Sequence, residues 1–340
     1  MKGIVLGSLF LVSLLSLLAC NRKVTNSVVV YTSVDEVFAR PITQRFEQQT
    51  GVTVQLVPDT EETKSTGLLN RLIAEKQRPQ ADVFWSGDPV RAAILKAKGV
   101  SAPYRSPYAE GLPEQFSDPD GHWTGFSARA RVLIYNRNLV PAGQEPQSVM
   151  DLLAPRFKNR ACIANPLFGT TSMHAAALFA VLGEEKAQAF FAGFTANGGK
   201  MLSSNGEVRR RVAAGEFAVG ITDTDDVNVA RLEGKPVSLV YPDADGMGTL
   251  IIPNCVMLIA GSPHPDTARQ FIDYLLQPES EKALAESEAA QMPLRPGVPV
   301  PPAVATVQSL KPMAVNYAAL AGLLETLSKG YLKEWVDRQP

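Results

Sequence analysis

The chain has 340 residues, a formal net charge of −1 and 45% hydrophobic residues. This is an ordinary globular composition with ample core, and at roughly 150 residues per domain it predicts two domains. The charge balance excludes the basic patch or stripe of a nucleic-acid binder; Arg209, Arg210 and Arg211 form the only tight basic run, which a solvated helix face explains.

The first 20 residues read as a targeting segment: Lys2 gives a positive start and "IVLGSLFLVSLLSLLA" is an uninterrupted apolar stretch. Its roughly 16 apolar residues are marginal for spanning a bilayer, and no other stretch is long and apolar enough. A plain signal peptide wants small residues at −3 and −1, whereas here −3 is Leu17 and the residue after Ala19 is Cys20. That pattern resembles a bacterial lipobox. The resemblance implies that Cys20 is lipidated and becomes the mature N-terminus, anchored on the periplasmic face of a bacterial membrane or at the cell surface. Cys162 and Cys255 remain, far apart and inside apolar runs without metal-ligand spacing, so they are expected to be separate buried thiols.

Residues 21–27 read as a polar tether. Then "SVVVYTS" predicts a buried strand, "VFARPITQRFEQQTG" a helix, "VTVQLVP" a strand, "TGLLNRLIAEKQRP" a helix, "ADVFWSG" a strand and "PVRAAILKAKGV" a helix. Strand and helix in alternation predict a parallel sheet with helices on its faces. Residues 101–122 are loop-rich, and "TGFSARARVLIYN" is a long strand with polar residues near its start. A second αβ series follows from "RACIAN" to "VNVARLEG", then strands at "VSLVYPD" and "TLIIPNCVMLIAG", a helical pair broken at Pro278, and one or two amphipathic helices in the tail. Long strands near 126–135 and 250–259 suggest two lobes with a cleft between them.

Ligands of open α/β sheets sit outside the carboxyl ends of the strands. Three such ends carry hydroxyl or acidic residues: "YTSVDE" with Thr32, Ser33 and Asp35, "WSGDP" with Trp85 and Asp88, and "TDTDD" with Asp223, Asp225 and Asp226. Two carboxylates about 5 Å apart repel by roughly 3 kcal/mol at an effective dielectric near 20, so the last cluster demands an explanation. The plainer one is that Asp225 or Asp226 caps the helix "VNVARLEG", a task for one aspartate rather than three. An EF-hand fails, because loop position 12 counted from Asp223 is Gly234 and counted from Asp243 is Asn254. Nothing completes a catalytic set around His122, His174 or His264, and no HExxH, GxSxG, GxGxxG or P-loop pattern is present, so no enzyme and no catalytic cofactor is expected. Gly169, Thr170, Thr171 and the "LSSNG" run with Ser204 and Asn205 stand at helix starts, where free N–H groups either hold an anion or are simply capped. Trp85 and Tyr241 end strands, and either wall a cleft or pack in the core.

In order and spacing, "VVVYTS", "ADVFWSGDP", "FSARARVLIYN", "FKNRACIANP", "GEFAVGITDTDD" and "SPHPDTARQFIDYLL" resemble the periplasmic solute-binding proteins of ABC importers, closest to their ferric-iron and thiamine branch. The similarity covers about residues 28–295. It implies an α/β, two-lobed Venus-flytrap fold, each lobe a mixed sheet flanked by helices and the two joined by hinge strands. On that frame residues 1–20 are the leader, 21–27 the tether, 28–127 lobe 1, 128–252 lobe 2, 253–300 a return to lobe 1 and 301–340 C-terminal helices. It further implies a monomer that captures a solute between its lobes and delivers it to a membrane permease and its ATPase. The ferric branch has a His where Asp35 stands, a Glu where Gly87 stands beside Asp88, and a Tyr pair where Asp225 and Asp226 stand. Asp223 takes the place of an anion-contacting Asn, whereas Gly169 to Thr171 and Asn205 match the places that hold an anion beside the metal. Two ligand readings follow. In one, Asp35, Asp225 and Asp226 bind a metal, iron by resemblance, with a synergistic anion at Thr170 and Asn205. In the other, the ligand is an organic phosphate, phosphonate or carboxylate, such as a sugar phosphate or a thiamine-like compound, seated on Thr170, Thr171, Ser204 and Asn205 with its amine or hydroxyls on the aspartates. A surface hydrolase and a solute sensor are the competing functions.

Overall fold

The computed structural model describes residues 26–59 and 66–339; the leader, Cys20 and all of the expected tether except its last two residues lie outside the described residues. The first strand, β1 (Ser27–Thr32), leads through α1 (Glu36–Thr50) to β2 (Thr53–Pro58), α2 (Gly67–Ala74), β3 (Val83–Ser86) and α3 (Pro89–Ala97). A short β4 (Ser101–Ala102) and a loop-rich stretch precede the long β5 (Thr124–Asn136). Then come β6 (Ala161–Ala164), α4 (Gly169–Leu182), α5 (Glu184–Ala196), β7 (Lys200–Leu202), α6 (Asn205–Ala213), β8 (Val219–Asp223), α7 (Thr224–Leu232) and β9 (Val237–Val240). The remainder is β10 (Ile251–Ile259), α8 (Pro265–Leu275), α9 (Pro278–Glu286), α10 (Tyr317–Lys329) and α11 (Tyr331–Asp337).

Local chemistry accounts for these boundaries. Strand β1 is a continuous apolar run because it pairs in parallel with β2 and β3, and both faces of a parallel sheet are covered. Helix α3 begins with Pro89 at its first position and Asp88 as cap, whose carboxylate accepts from the Arg91 N–H at 3.0 Å. Helix α1 stops at Gly51, which adopts φ 70°. Helix α2 is shorter than the pattern predicts: it ends at Ala74, and a turn from Glu75 to Arg78 follows, since Pro79 disfavours helix in the residue before it.

The strands run in the order β2-β1-β3-β10-β5-β8-β6-β7, with β4 on β10 and β9 on β5. This path is two mixed sheets sharing one strand. Residues 124–130 of β5 pair antiparallel with β10, and residues 131–136 pair antiparallel with β8 and β9. The chain thus passes from one lobe to the other between Ala130 and Arg131. Helix α10 packs against both α3 and α4, tying the lobes together, and its Tyr317 hydroxyl donates to the Ile251 carbonyl at 3.1 Å. Helix α11 is pinned by Trp335, whose indole N–H donates to the Phe191 carbonyl at 3.1 Å. Cys162 and Cys255 are free, buried thiols, and burial pushes both pKa values up. Among the described residues no helix is long and apolar enough to cross a membrane.

Candidate functional site

A cavity of about 460 Å³ opens where the two lobes face each other. Ser33 and Asp35 reach it from the end of β1, and Arg129 from β5. The opposite lobe supplies Gly169, Thr170 and Thr171 from the start of α4, Ser204 and Asn205 from the start of α6, and Asp223, Asp225 and Asp226 from the β8–α7 junction. Helix α6 can lie this close to β8 because Gly220 has no side chain; a Cβ there would stand 2.6 Å from Cγ1 of Val208.

Four residues expected at the site do not reach the cavity. Thr32 turns inward, its hydroxyl donating to the Trp85 carbonyl at 2.9 Å and accepting from the Val34 N–H. Trp85 is wholly buried against Phe126 at 5.8 Å, because strand alternation points it into the core. Asp88 is consumed as the cap of α3. Tyr241 follows β9 and packs against the main apolar core. His264, partly exposed in the turn before α8, meets the buried Asp82 carboxylate with its ring at 3.0 Å.

The acid cluster is not a cap. Asp223 occupies the cap position of α7, yet its side chain caps nothing, and Asp225 and Asp226 lie in the first turn. Instead, Asp223 accepts from Nη1 of Arg131 at 2.7 Å and from the Thr170 hydroxyl at 2.7 Å. Arg131 and Asp223 are direct cross-strand neighbours in the β5–β8 register, which brings the two charges together. The fully buried Arg131 guanidinium also donates to the Thr170 hydroxyl and to Oδ1 of Asn205, both at 3.1 Å, and so fixes the side chains of both helix starts. Arg129 donates to the Gly87 carbonyl of its own lobe at 2.7 Å and, across the lobe boundary, to Asp225 at 3.3 Å. Asp226 accepts from the Thr222 hydroxyl.

These two arginines were not singled out by the sequence reading. The signal lies in "ARAR": period-two alternation puts both guanidiniums on one face of a strand that is otherwise apolar, and a buried charge requires a partner. Of the run expected on a solvated helix face, Arg210 and Arg211 are exposed and Arg209 is half-buried, and Arg209 and Arg210 also line the cavity.

Electrostatics follow from this packing. Burial pushes the Asp223 carboxyl up, but Arg131, Arg129 and the Thr170 hydrogen bond outweigh it, and its pKa is lowered. For Asp225 burial dominates over the longer Arg129 contact, with Asp226, Asp223 and Asp35 adding repulsion, and its pKa rises to about 7. Burial disfavours Arg129's charge, yet Asp225, Asp223 and Asp35 together hold its pKa above the ordinary value. His174, buried behind the site beside Arg131, is held neutral with its pKa lowered to about 3 by burial first and by that arginine second. Since the folded chain keeps the Asp225 proton up to about pH 7 and the unfolded chain releases it near 3.8, folding takes up a proton in that window, and this residue's contribution to stability is lost as pH rises through it. Urea melts at pH 5 and pH 8 are expected to show a fall in stability that is steeper in wild type than in Asp225→Asn by a few kcal/mol. Parallel pH profiles would contradict the assignment.

The cavity therefore has two poles. One presents Asp35, Asp225 and Asp226; the other presents Arg209, Arg210 and the starts of α4 and α6. No side chain caps α4, whose cap position is Phe168, so its first N–H groups are left as donors. Asp223, Asp225 and Asp226 each place an oxygen within 4.8 Å of the others, close enough to share a cation, but each already accepts a hydrogen bond from the protein.

Residues 42–314 match the family model described as bacterial extracellular solute-binding protein. Iron uptake protein A1 of Synechocystis sp. is 27% identical over 309 residues, 88% of this chain and 83% of that protein. A putative 2-aminoethylphosphonate-binding periplasmic protein of Salmonella typhi is 29% identical over 262 residues, 74% of this chain and 73% of that protein. Among solved structures, iron-bound HitA from Pseudomonas aeruginosa aligns with a TM-score of 0.80 at 24% identity, over 89% of this chain and 98% of that one. AfuA from Actinobacillus pleuropneumoniae with fructose-6-phosphate bound aligns with a TM-score of 0.79 at 24% identity, over 92% and 98%. At these identities the structural likeness shows the two-lobed fold. With the family match spanning well over half of its length, this chain belongs to the bacterial extracellular solute-binding proteins.

Proposed function

We propose that the protein is the extracytoplasmic binding component of an ABC importer, that it captures a small organic anion between its lobes, and that it hands this ligand to a membrane permease driven by its ATPase. It works without catalysis: the ligand touches both lobes only when they close on it, and that differential contact is what shifts the population toward the closed form. It acts as a monomer tethered through a lipidated Cys20 on the periplasmic face. The observation that carries the ligand class is that two of the three aspartates are already engaged by buried arginines, Asp223 by Arg131 at 2.7 Å and Asp225 by Arg129 at 3.3 Å. Carboxylates already paired with buried guanidiniums form a poor ligand set for a highly charged metal, which those same guanidiniums would repel. A cavity of about 460 Å³ is also of the size that small organic ligands occupy.

Ferric iron is the second reading, favoured by the three carboxylates within 4.8 Å and by relatives named for iron uptake. In it Asp35, Asp225 and Asp226 hold the metal, and Thr170 with Asn205 holds a synergistic anion.

A thermal-melt screen of the mature protein separates them, because a ligand at 100 times its Kd adds about 2.7 kcal/mol to stability. The expected result is a raised Tm with phosphonates, sugar phosphates or related organic anions, and none with ferric iron and carbonate. A rise with ferric iron alone would select the second reading, and turnover of a bound phosphorylated compound would replace both with a surface hydrolase.

A further inference from the structure

The three consecutive arginines of α6 have different fates. Arg211 is committed to the protein, paired with Glu216 at 2.6 Å and Glu207 at 3.3 Å. Arg209 and Arg210 face the cavity, and neither makes an ion pair or hydrogen bond to the described residues. The Nε of Arg209 is buried without a partner. Arg129 also lines the cavity and is 5% exposed; its Nη groups are taken by Asp225 and Gly87, while its Nε is buried without a partner. Half-buried Arg209 and exposed Arg210 thus line a cavity between the lobes with no acceptor from the protein, which points to one that arrives with the ligand.

The chemistry of that acceptor follows from the number of donors. A carboxylate offers two oxygens and one negative charge, which a single guanidinium would match. A phosphoryl group offers three strong acceptor oxygens and between one and a half and two charges near neutral pH. With Arg129 engaged by Asp225 and Gly87, the cavity still supplies the guanidiniums of Arg209 and Arg210 together with two helix starts, the second carrying Ser204 as cap and Asn205 and Gly206 in its first turn. We propose that Arg209 and Arg210 select the anionic end of the ligand, and that this end is a phosphorus oxyanion, a phosphonate or phosphate monoester, rather than a single carboxylate. This deepens the organic-anion reading and rests on it.

Isothermal titration of the mature protein with 2-aminoethylphosphonate, fructose 6-phosphate and β-alanine tests it, since β-alanine keeps the amine and spacing of the first probe but ends in a carboxylate. Wild type is expected to bind at least one phosphorus probe and to bind β-alanine at least 100-fold more weakly. Arg209→Gln and Arg210→Gln should each weaken that phosphorus probe about tenfold and together about 100-fold or more, with a shallower dependence on salt. Arg211→Gln should leave it within about threefold. Phosphorus probes held equally well by wild type and the double variant, or β-alanine bound as tightly as 2-aminoethylphosphonate, would overturn the inference while leaving the organic-anion reading in place. Wild type that binds none of the probes but takes ferric iron would overturn both together.

Discussion

Arg131→Met is expected to lower stability by about 3–5 kcal/mol, because it leaves the Asp223 carboxylate buried with its ionic partner gone. The side chain is wholly buried and serves as a hub: Asp223, Thr170, Thr171 and Asn205 all accept its hydrogen bonds. The single variant should therefore lose ligand affinity as well as stability. Arg131→Met combined with Asp223→Leu should recover most of the stability, since a buried ion pair replaced by apolar groups of similar size is often neutral or better. Urea unfolding of both variants checks this. A single variant as stable as wild type would mean that Asp223 is protonated or hydrated in the fold, and the paired description of the cluster would fail.

Asp35→Asn together with Asp226→Asn is expected to weaken an amine-bearing ligand such as 2-aminoethylphosphonate by about 100-fold or more, as each lost charge-assisted hydrogen bond is worth about 1.5–3 kcal/mol. Both residues line the cavity, and the change leaves the Arg129–Asp225 and Arg131–Asp223 pairs intact. Stability should therefore change far less than in Arg131→Met, which separates a binding defect from a folding one. Titration calorimetry alongside a melt reads both quantities. Unchanged affinity would remove the acidic pole from the site.

Much of the fold could be read from the chain because its signals are local and repeated. "SVVVYT" is a buried parallel strand by composition alone, and Pro89 behind Asp88 marks a helix start that forms as expected. The walls of the cavity were legible where strand and helix ends supply them: "ITDTDD", "GTT" and "SSN" all arrive at one place. What was not legible depends on facing. Trp85 and Asp88 stand at a strand end just as Asp225 does, yet one alternates into the core and the other caps α3. Arg129 and Arg131 escaped because an arginine in a strand reads as an exposed residue until its partner, more than 90 positions away, is brought opposite it. Arg209 and Arg210 line the cavity on a helix whose placement against β8 depends on the close approach at Gly220, which the local sequence does not show.

The arginines change the meaning of the acid cluster. Three aspartates without a cation invite a metal; three aspartates of which two are already engaged by arginines form one side of a polar, two-ended pocket. The measurement that bears on this most directly is a crystal structure of the mature protein with its strongest melt-screen ligand, recorded with anomalous data at the iron edge. The expected density is an organic molecule whose anionic end lies on Arg209, Arg210 and the starts of α4 and α6, with both Arg–Asp pairs retained. An anomalous peak coordinated by Asp35, Asp225 and Asp226, with Arg129 displaced from Asp225, would contradict it.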